Sequence, residues 1–359
     1  MKTIVSNRQN WFNKINLTKD DRLYVGVDVH KKSYAVAVWL NDALAVDFVM
    51  PAGNLQLASM LEKQRIALKQ VVYEAGPTGY SLARTLQQAN LPVQVVAPSK
   101  TPRQSAPDSK TDRLDCRKLA EYAAKGLLKP ITAPSVQQEA DRQLCRLREQ
   151  LVDKQRKVKL QIKSFLLQHG IDEPAGLACW SKQSLEKLSQ IRLSSQLRYC
   201  IDTLLEHLRF LRTQLKQTER QLGQVFTRKP LGIKIKILMT HPGIGPTIAR
   251  QFATEIFNPK RFSDKTQIAK YIGLTPMVNQ SGESFRDGPI TKTGRPQLRS
   301  NLVEASWIWI RKDAYAHKTY KRLLQNSGQS NKAITAMARR LAIHLWRMSC
   351  DNKPYISPT

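Results

Sequence analysis

Residues 23–40 read LYVGVDVHKKSYAVAVWL. Leu23, Val25 and Val27 alternate with their neighbours, a polar turn follows at Lys31–Lys32, and apolar residues resume at Ala35–Val38. Two apolar runs around a polar turn predict a β-hairpin. Its first strand ends on an acid, Asp28. A carboxylate closing an apolar strand is costly unless a cation compensates it; taken alone, Asp28 is equally well a loop-facing residue just past the strand. Three more acids change that reading. Glu74 closes a second apolar run, Val71–Tyr73, and Asp112 and Asp115 stand three apart in SKTDRLDCRKLAEYA, which reads as the start of a helix. A spacing of three puts both carboxylates on one helical face. Four acids in the order strand end, strand end, helix pair are what a divalent-metal phosphoryl-transfer site needs. Hard oxygen ligands hold Mg2+, and two ions can clamp an in-line displacement at phosphorus; Mn2+ satisfies the same oxygens.

Working outward, residues 1–20 are polar and basic and read as a loose arm. Strands are expected at Leu23–Asp28, Ser33–Leu40 and Ala43–Met50, a helix over Asn54–Lys69, a fourth strand at Lys69–Glu74, a helix over Tyr80–Asn90 and a fifth strand at Pro92–Ala97. The helix bearing Asp112 and Asp115 follows. This order describes an α/β layer with a mixed sheet. The fold class is therefore α/β plus α, because residues 137–228 change character. There, Leu144, Leu147, Leu151, Val158, Ile162 and Phe165, then Leu197, Ile201, Leu204, Leu208, Leu211, Leu215 and Leu222, follow a three-four spacing around a break at His169–Cys179. Two long amphipathic helices, joined by an irregular segment, form an antiparallel pair or a coiled coil, which is equally an intramolecular helical hairpin or an oligomerisation arm. The expected domains are 1–135, 136–230 and 231–359.

Composition bounds the partners. The chain of 359 residues carries a formal net charge of +30 and an isoelectric point near 10.1. Such a chain should bind a polyanion, nucleic acid first and an anionic membrane surface second. No apolar run is long enough to span a membrane, and MKTIVSNRQNWFNK has no signal core. The five cysteines are scattered without CxxC spacing, so reduced thiols in a cytoplasmic protein are expected, not a disulfide frame or zinc site. Between Arg286 and Arg347, 13 Lys and Arg face three acids, so one face of this region should meet nucleic acid.

Two further stretches carry chemistry. In HPGIGPTIARQ, Gly243 and Gly245 lie between helical runs as in a helix-hairpin-helix turn. Backbone N–H groups there can approach a phosphate, helped by the dipole of the next helix. In residues 271–301, Ser281 and Gly282 sit in a turn-rich loop, with Arg286, Lys292, Arg295 and Arg299 around them. A serine among guanidinium groups has the surroundings of a nucleophile for phosphorus. By composition alone it is better read as an ordinary turn residue. Trp307, Trp309 and Trp346 read as core or interface residues, and the tail from Asp351 as frayed.

The strand and helix order is similar to that of ribonuclease-H-like nucleases of the RuvC resolvase type. GVDVH, YEAGPTGY and SKTDRLDCRKLAEYA resemble the N-terminal half of the DEDD transposases of bacterial insertion sequences, the IS-one-ten group, also called bridge-RNA-guided recombinases and similar to site-specific invertases. GLTP, SGE and GPITKTGRPQLR resemble the C-terminal domain of the same family. The resemblance implies a metal-binding catalytic tetrad of Asp28, Glu74, Asp112 and Asp115, and a catalytic serine at Ser281, with Ser284 the other hydroxyl nearby. It implies a covalent phosphoserine intermediate, double-stranded DNA (element ends and target) as substrate, a structured guide RNA, a homo-oligomer with composite active sites, and a place at the bacterial nucleoid. A water-using endonuclease of resolvase type, and a non-enzymatic RNA- or DNA-binding assembly protein, are the alternatives.

Overall fold

The computed structural model describes residues 7–102, 112–281 and 284–358, which divide after Ala133 into two compact units. In the first unit the elements are α1 (Asn7–Lys14), β1 (Leu23–Val29), β2 (Ser33–Leu40), β3 (Ala43–Pro51), α2 (Asn54–Glu62), β4 (Leu68–Glu74), α3 (Ser81–Gln88), β5 (Val93–Val96) and α4 (Asp112–Ala124). The five strands form one mixed sheet in the order β3-β2-β1-β4-β5. β1, β2 and β3 are joined antiparallel, while β4 runs parallel to both β1 and β5.

Alternation along the strands divides the residues between two faces. Leu23, Val25, Val27, Val36, Val38, Val71 and Tyr73 bury themselves against Leu57 and Leu61 of α2 and Leu82 and Leu86 of α3. The opposite face is built from smaller residues. Ala35 and Ala37 meet Cys116 and Ala120 of α4, and Val72 and Val96 meet Leu119 and Ala123. Gly26 lies on this second face, where α4 crosses so closely that an added Cβ would stand 2.2 Å from the Cys116 carbonyl oxygen and 2.5 Å from the Ala120 nitrogen.

Two expectations in this unit are corrected. The N-terminal arm holds a helix, α1, whose Phe12 is fully buried with its ring centroid 6.0 Å from that of Phe48. One aromatic side chain filling a core gap outweighs the polar composition around it. The helix after Asn54 stops at Glu62, not Lys69. Parallel pairing of β4 with β1 already begins at Leu68, and the Leu23 N–H donates to the Ala67 carbonyl at 2.9 Å.

The second unit is helical: α5 (Val136–Gln168), α6 (Lys182–Gln190), α7 (Ser195–Val225), α8 (Leu231–Leu238), α9 (Pro246–Ile256), α10 (Lys265–Ile272), the strands β6 (Pro276–Ser281) and β7 (Ser284–Ile290), then α11 (Pro296–Lys312), α12 (Ala314–Ser327) and α13 (Ser330–Asp351). A full capping box, Ser135 with Gln138, starts α5. The long helices α5 and α7 run antiparallel: Arg148 pairs with Glu219, Gln155 bonds the Leu211 carbonyl, and Leu151, Val158 and Ile162 interleave with Ile201, Leu205 and Leu208. The segment between them contains α6, N-capped by Ser181, and buries Leu177, Trp180, Leu185 and Leu188 in the same core. Only a break was legible there, because α6 is short.

A separate core gathers Phe252, Ile268, Leu302, Trp309, Met337, Leu341 and Leu345 from α9, α10, α11 and α13. The C-terminal tail docks on it, contrary to the frayed tail expected. Tyr355 donates from its hydroxyl to Asp313 at 3.0 Å and accepts from the Trp309 indole at 3.3 Å, with its ring 4.1 Å from that of His241. A buried aromatic with a satisfied polar tip is sufficient to anchor an otherwise polar end.

Candidate active site

β1 and β4 are parallel neighbours with Gly26 opposite Val72 and Val27 opposite Tyr73. Continuing that register, Asp28 and Glu74 come abreast at the carboxyl ends of adjacent central strands. Strand parity puts Asp28 on the face of Gly26, and Glu74 on the face of Val72, which is the face α4 covers. The helix runs against β1. Cys116 and Ala120 lie over Gly26 and Ala37, whereas Leu119 and Ala123 group with Tyr24. Its first turns, carrying Asp112 and Asp115, are therefore directed toward the strand ends that carry Asp28 and Glu74. Proximity also registers at Cys116: burial, with the Asp47 and Asp28 carboxylates adding to it, pushes its thiol up to about 12, so it stays a neutral packing residue.

Two side chains missed in the sequence touch these acids. His30 Nε2 lies 3.1 Å from Asp28 Oδ2, and the Thr101 hydroxyl donates to Glu74 Oε1 at 2.7 Å. His30 could have been found, since it stands just past the end of β1, two residues beyond Asp28, where the alternation of the strand still brings it to the same side. Thr101 sits in an unpatterned stretch and gave no signal. Among the described side chains no group of three His, Cys, Asp or Glu is drawn tightly enough to hold an ion; the side chain of Asp112 lies outside them. The donor chemistry nevertheless fits a hard divalent cation, being carboxylate oxygen throughout.

The second constellation differs from the turn-rich loop expected. Its backbone forms a two-stranded antiparallel hairpin in which Ser281 pairs with Ser284 at the tip. Gly282 and Glu283 lie outside the described residues, as do the side chains of Ser281, Ser284 and Arg286. Lys292 is exposed beyond the hairpin. Arg295 and Arg299 direct donors into the protein. Arg295 Nη2 reaches Glu149 Oε2 at 2.5 Å, and Arg299 Nη1 bonds the carbonyls of Thr293 at 2.6 Å and Ile272 at 3.1 Å. Glu149 also accepts from Gln251, which in turn accepts from Asn301. Beside this chain Arg146 makes a bidentate pair with Glu255, both bonds 2.9 Å. These contacts tie α5 to α9 and to the segment that follows the hairpin, and Glu149 and Glu255 were not singled out in the sequence.

In the turn before α9, Gly243 has φ +88°, and a Cβ there would stand 2.4 Å from the Ala305 carbonyl oxygen of α11. Its conformation and its absent side chain let the turn seat on that helix. Gly245 is exposed at the start of α9, with open space around it.

Residues 25–171 match a family model for DEDD transposases of the IS110 type, described as Transposase, and residues 235–321 match one described as Transposase IS116/IS110/IS902 family. The chain belongs to this transposase family. Asp28, Glu74, Asp112 and Asp115 all fall within the first match, and Ser281 within the second. The y4qE protein of Sinorhizobium fredii is 28% identical over 91% of this chain and 88% of its own length. A transposase for insertion sequence element IS1111A of Coxiella burnetii is 22% identical over 96% of this chain and 94% of its own. A pilin gene-inverting protein of Moraxella lacunata is 27% identical over 42% of this chain and 48% of its own.

One stability prediction arises from the α5 contacts of this transposase. Glu255 is buried while Arg146 is partly exposed. Removing the guanidinium leaves a carboxylate sheltered from water with Arg295, 3.5 Å away, as its remaining ion-pair partner among the described residues. Arg146→Ala should lower stability by about 3 kcal/mol, read from urea unfolding at neutral pH. A change under about 1 kcal/mol would place the pair with ordinary surface ion pairs instead.

Proposed function

We propose that this transposase excises and inserts a mobile DNA element by a covalent phosphoserine route. The reading rests above all on Asp28 and Glu74 standing abreast under the helix that carries Asp112 and Asp115. It assigns a RuvC-like catalytic fold to residues 1–135, an oligomerisation arm to residues 136–230, and a second catalytic region, with a helix-hairpin-helix turn and the serine, to residues 231–359. Asp28, Glu74, Asp112 and Asp115 would hold magnesium or manganese, which when bound supplies positive charge at phosphorus. The Ser281 oxygen bonds to phosphorus, the bond from phosphorus to one deoxyribose oxygen breaks, and the serine proton leaves with that oxygen. Attack by the hydroxyl of another strand end reverses the step and rejoins DNA without ATP. Ser284 is the alternative hydroxyl at the same hairpin tip.

The net charge of +30 supports duplex DNA as the substrate, held through its backbone. Gly243, Gly245, Arg286 and Lys292 are the assigned backbone contacts, while Arg295 and Arg299, whose donors bond inward, support the segment that carries them. A structured guide RNA is assigned as the source of sequence choice, because base pairing would then read what backbone contacts do not. Exposed Leu167, Tyr199 and Phe210 on the α5–α7 pair support a homo-oligomer in which one subunit's acids meet another's serine. No described helix is long and apolar enough to cross a membrane.

The test mixes the protein and co-purifying RNA with end-labelled element-end DNA and magnesium, then denatures the mixture. A protease-sensitive shifted band is expected, absent in Ser281→Ala and in Asp28→Ala. Nicked DNA without a shift, lost in Asp28→Ala but kept in Ser281→Ala, would replace the serine by water. DNA binding with no strand cleavage in any condition would leave a binding protein only.

A further inference from the structure

At the outer edge of the sheet, beside β3, lies an open cavity of about 480 Å³. Nothing in the proposed chemistry uses it. Its floor is Asp47, whose side chain is 2% exposed. Asp47 Oδ1 accepts from Arg8 Nη1 at 2.5 Å, and Oδ2 accepts from Arg117 Nε at 2.5 Å. Two guanidinium groups thus face one carboxylate, leaving one net positive charge fixed in place. Their side chains remain 58% and 39% exposed, so further N–H groups stay within reach of solvent. The apolar wall is Trp11, 41% exposed, with Leu44. The neighbouring Phe12 of the same helix is the residue that anchors α1 in the core, so burial of α1 does not account for Trp11.

We infer that this cavity binds one unpaired nucleotide of a structured RNA, its base on the Trp11 ring and its phosphate on Arg8 and Arg117. The cavity lies in the size range of small-ligand sites and admits a base with its sugar-phosphate, not a paired duplex. An aromatic face beside guanidinium groups is the combination that single-stranded nucleic acid selects. Duplex DNA keeps its bases stacked, whereas RNA loops and bulges splay bases outward. The Asn7 amide on the rim can pair with a ribose 2′-hydroxyl. The ion-paired floor serves the ligand as well as the fold. It costs no reorganisation on binding, because Asp47 already holds both guanidinium groups still. The inference rests on the RNA partner of the proposed function, but not on the serine chemistry.

The test compares binding of a labelled stem–loop RNA with a uridine loop, and of duplex DNA, to the full-length protein and to Trp11→Ala and Trp11→Phe. Trp11 is exposed, so neither substitution removes core packing. Trp11→Ala should weaken RNA binding about tenfold or more, Trp11→Phe should retain most of it, and duplex DNA binding should not change. With 4-thiouridine in the loop, ultraviolet cross-linking should label the peptide containing Trp11. RNA bound equally well by Trp11→Ala would overturn this site and leave the RNA partner standing. A parent protein that binds no stem–loop RNA would overturn both. Equal weakening for RNA and duplex DNA would show that Trp11 supports nucleic-acid binding without selecting an unpaired base, and the nucleotide site would be abandoned.

Discussion

Gly26→Val should slow strand cleavage about a hundredfold or more while leaving DNA binding intact. A Cβ at position 26 would stand 2.2 Å from the Cys116 oxygen and 2.5 Å from the Ala120 nitrogen. Both are backbone atoms of α4, so no side chain can turn aside to make room, and the helix must lift from the sheet. Overpacking of this kind costs about 1–3 kcal/mol, which should appear as a lower melting temperature. The larger effect is on the acids. Asp112 and Asp115 ride on the first turns of that helix, while Asp28 and Glu74 belong to the sheet beneath. A displacement of about 1 Å between groups that must act together costs roughly a hundredfold in rate. Gly26→Ala should show the same loss in milder form, since the clash begins at Cβ. The measurement is magnesium-dependent cleavage alongside DNA affinity. A Gly26→Ala chain cleaving at the parent rate would mean that α4 does not set the geometry of the acids.

Acid should destabilise the second unit between about pH 6.5 and 4 through His241. Its ring is buried, and burial lowers its pKa from 6.5 to about 4, with His344 adding to the shift while the Pro242 carbonyl and Asp313 oppose it. His241 Nδ1 lies 2.9 Å from the Pro242 carbonyl, which can only accept, so Nδ1 carries the proton and Nε2 is the buried basic nitrogen. The unfolded chain takes up a proton near pH 6.5, whereas the folded chain refuses it until about pH 4. The stabilisation is thus complete above pH 6.5 and is lost as pH falls, by about 3 kcal/mol in total. Burial of His344 lowers its pKa too and acts in the same direction. His241→Asn keeps a donor for the Pro242 carbonyl but does not titrate. Its unfolding free energy should fall less steeply over this range than the parent's. Parallel pH profiles for the two would exclude His241 as the source.

The local pattern of the chain was sufficient for the central strands, because a half-buried strand writes its period of two directly into the sequence. It was also sufficient for α5 and α7, whose apolar residues recur at helical spacing over 33 and 31 residues. The candidate acids were legible for the same reason: each closes or opens a periodic element. By itself, then, the sequence determined the α/β-then-α order, the polyanion-seeking charge and the family of the chain.

What needed the tertiary structure was every relation between residues distant in the chain. Parallel pairing of β4 with β1 decided that α2 ends early and that Asp28 and Glu74 stand abreast. The close crossing at Gly26 decided which face the helix acids share. Arg295 was read as a nucleic-acid contact from its basic surroundings, yet it also holds Glu149, 146 residues away. The polar ends were read as loose, but Phe12 and Tyr355 each find a distant aromatic partner. Periodicity reports only which side of an element is apolar. Which element covers that side is chosen by pairing, packing and close approach across the whole fold, and no local window of the chain contains them.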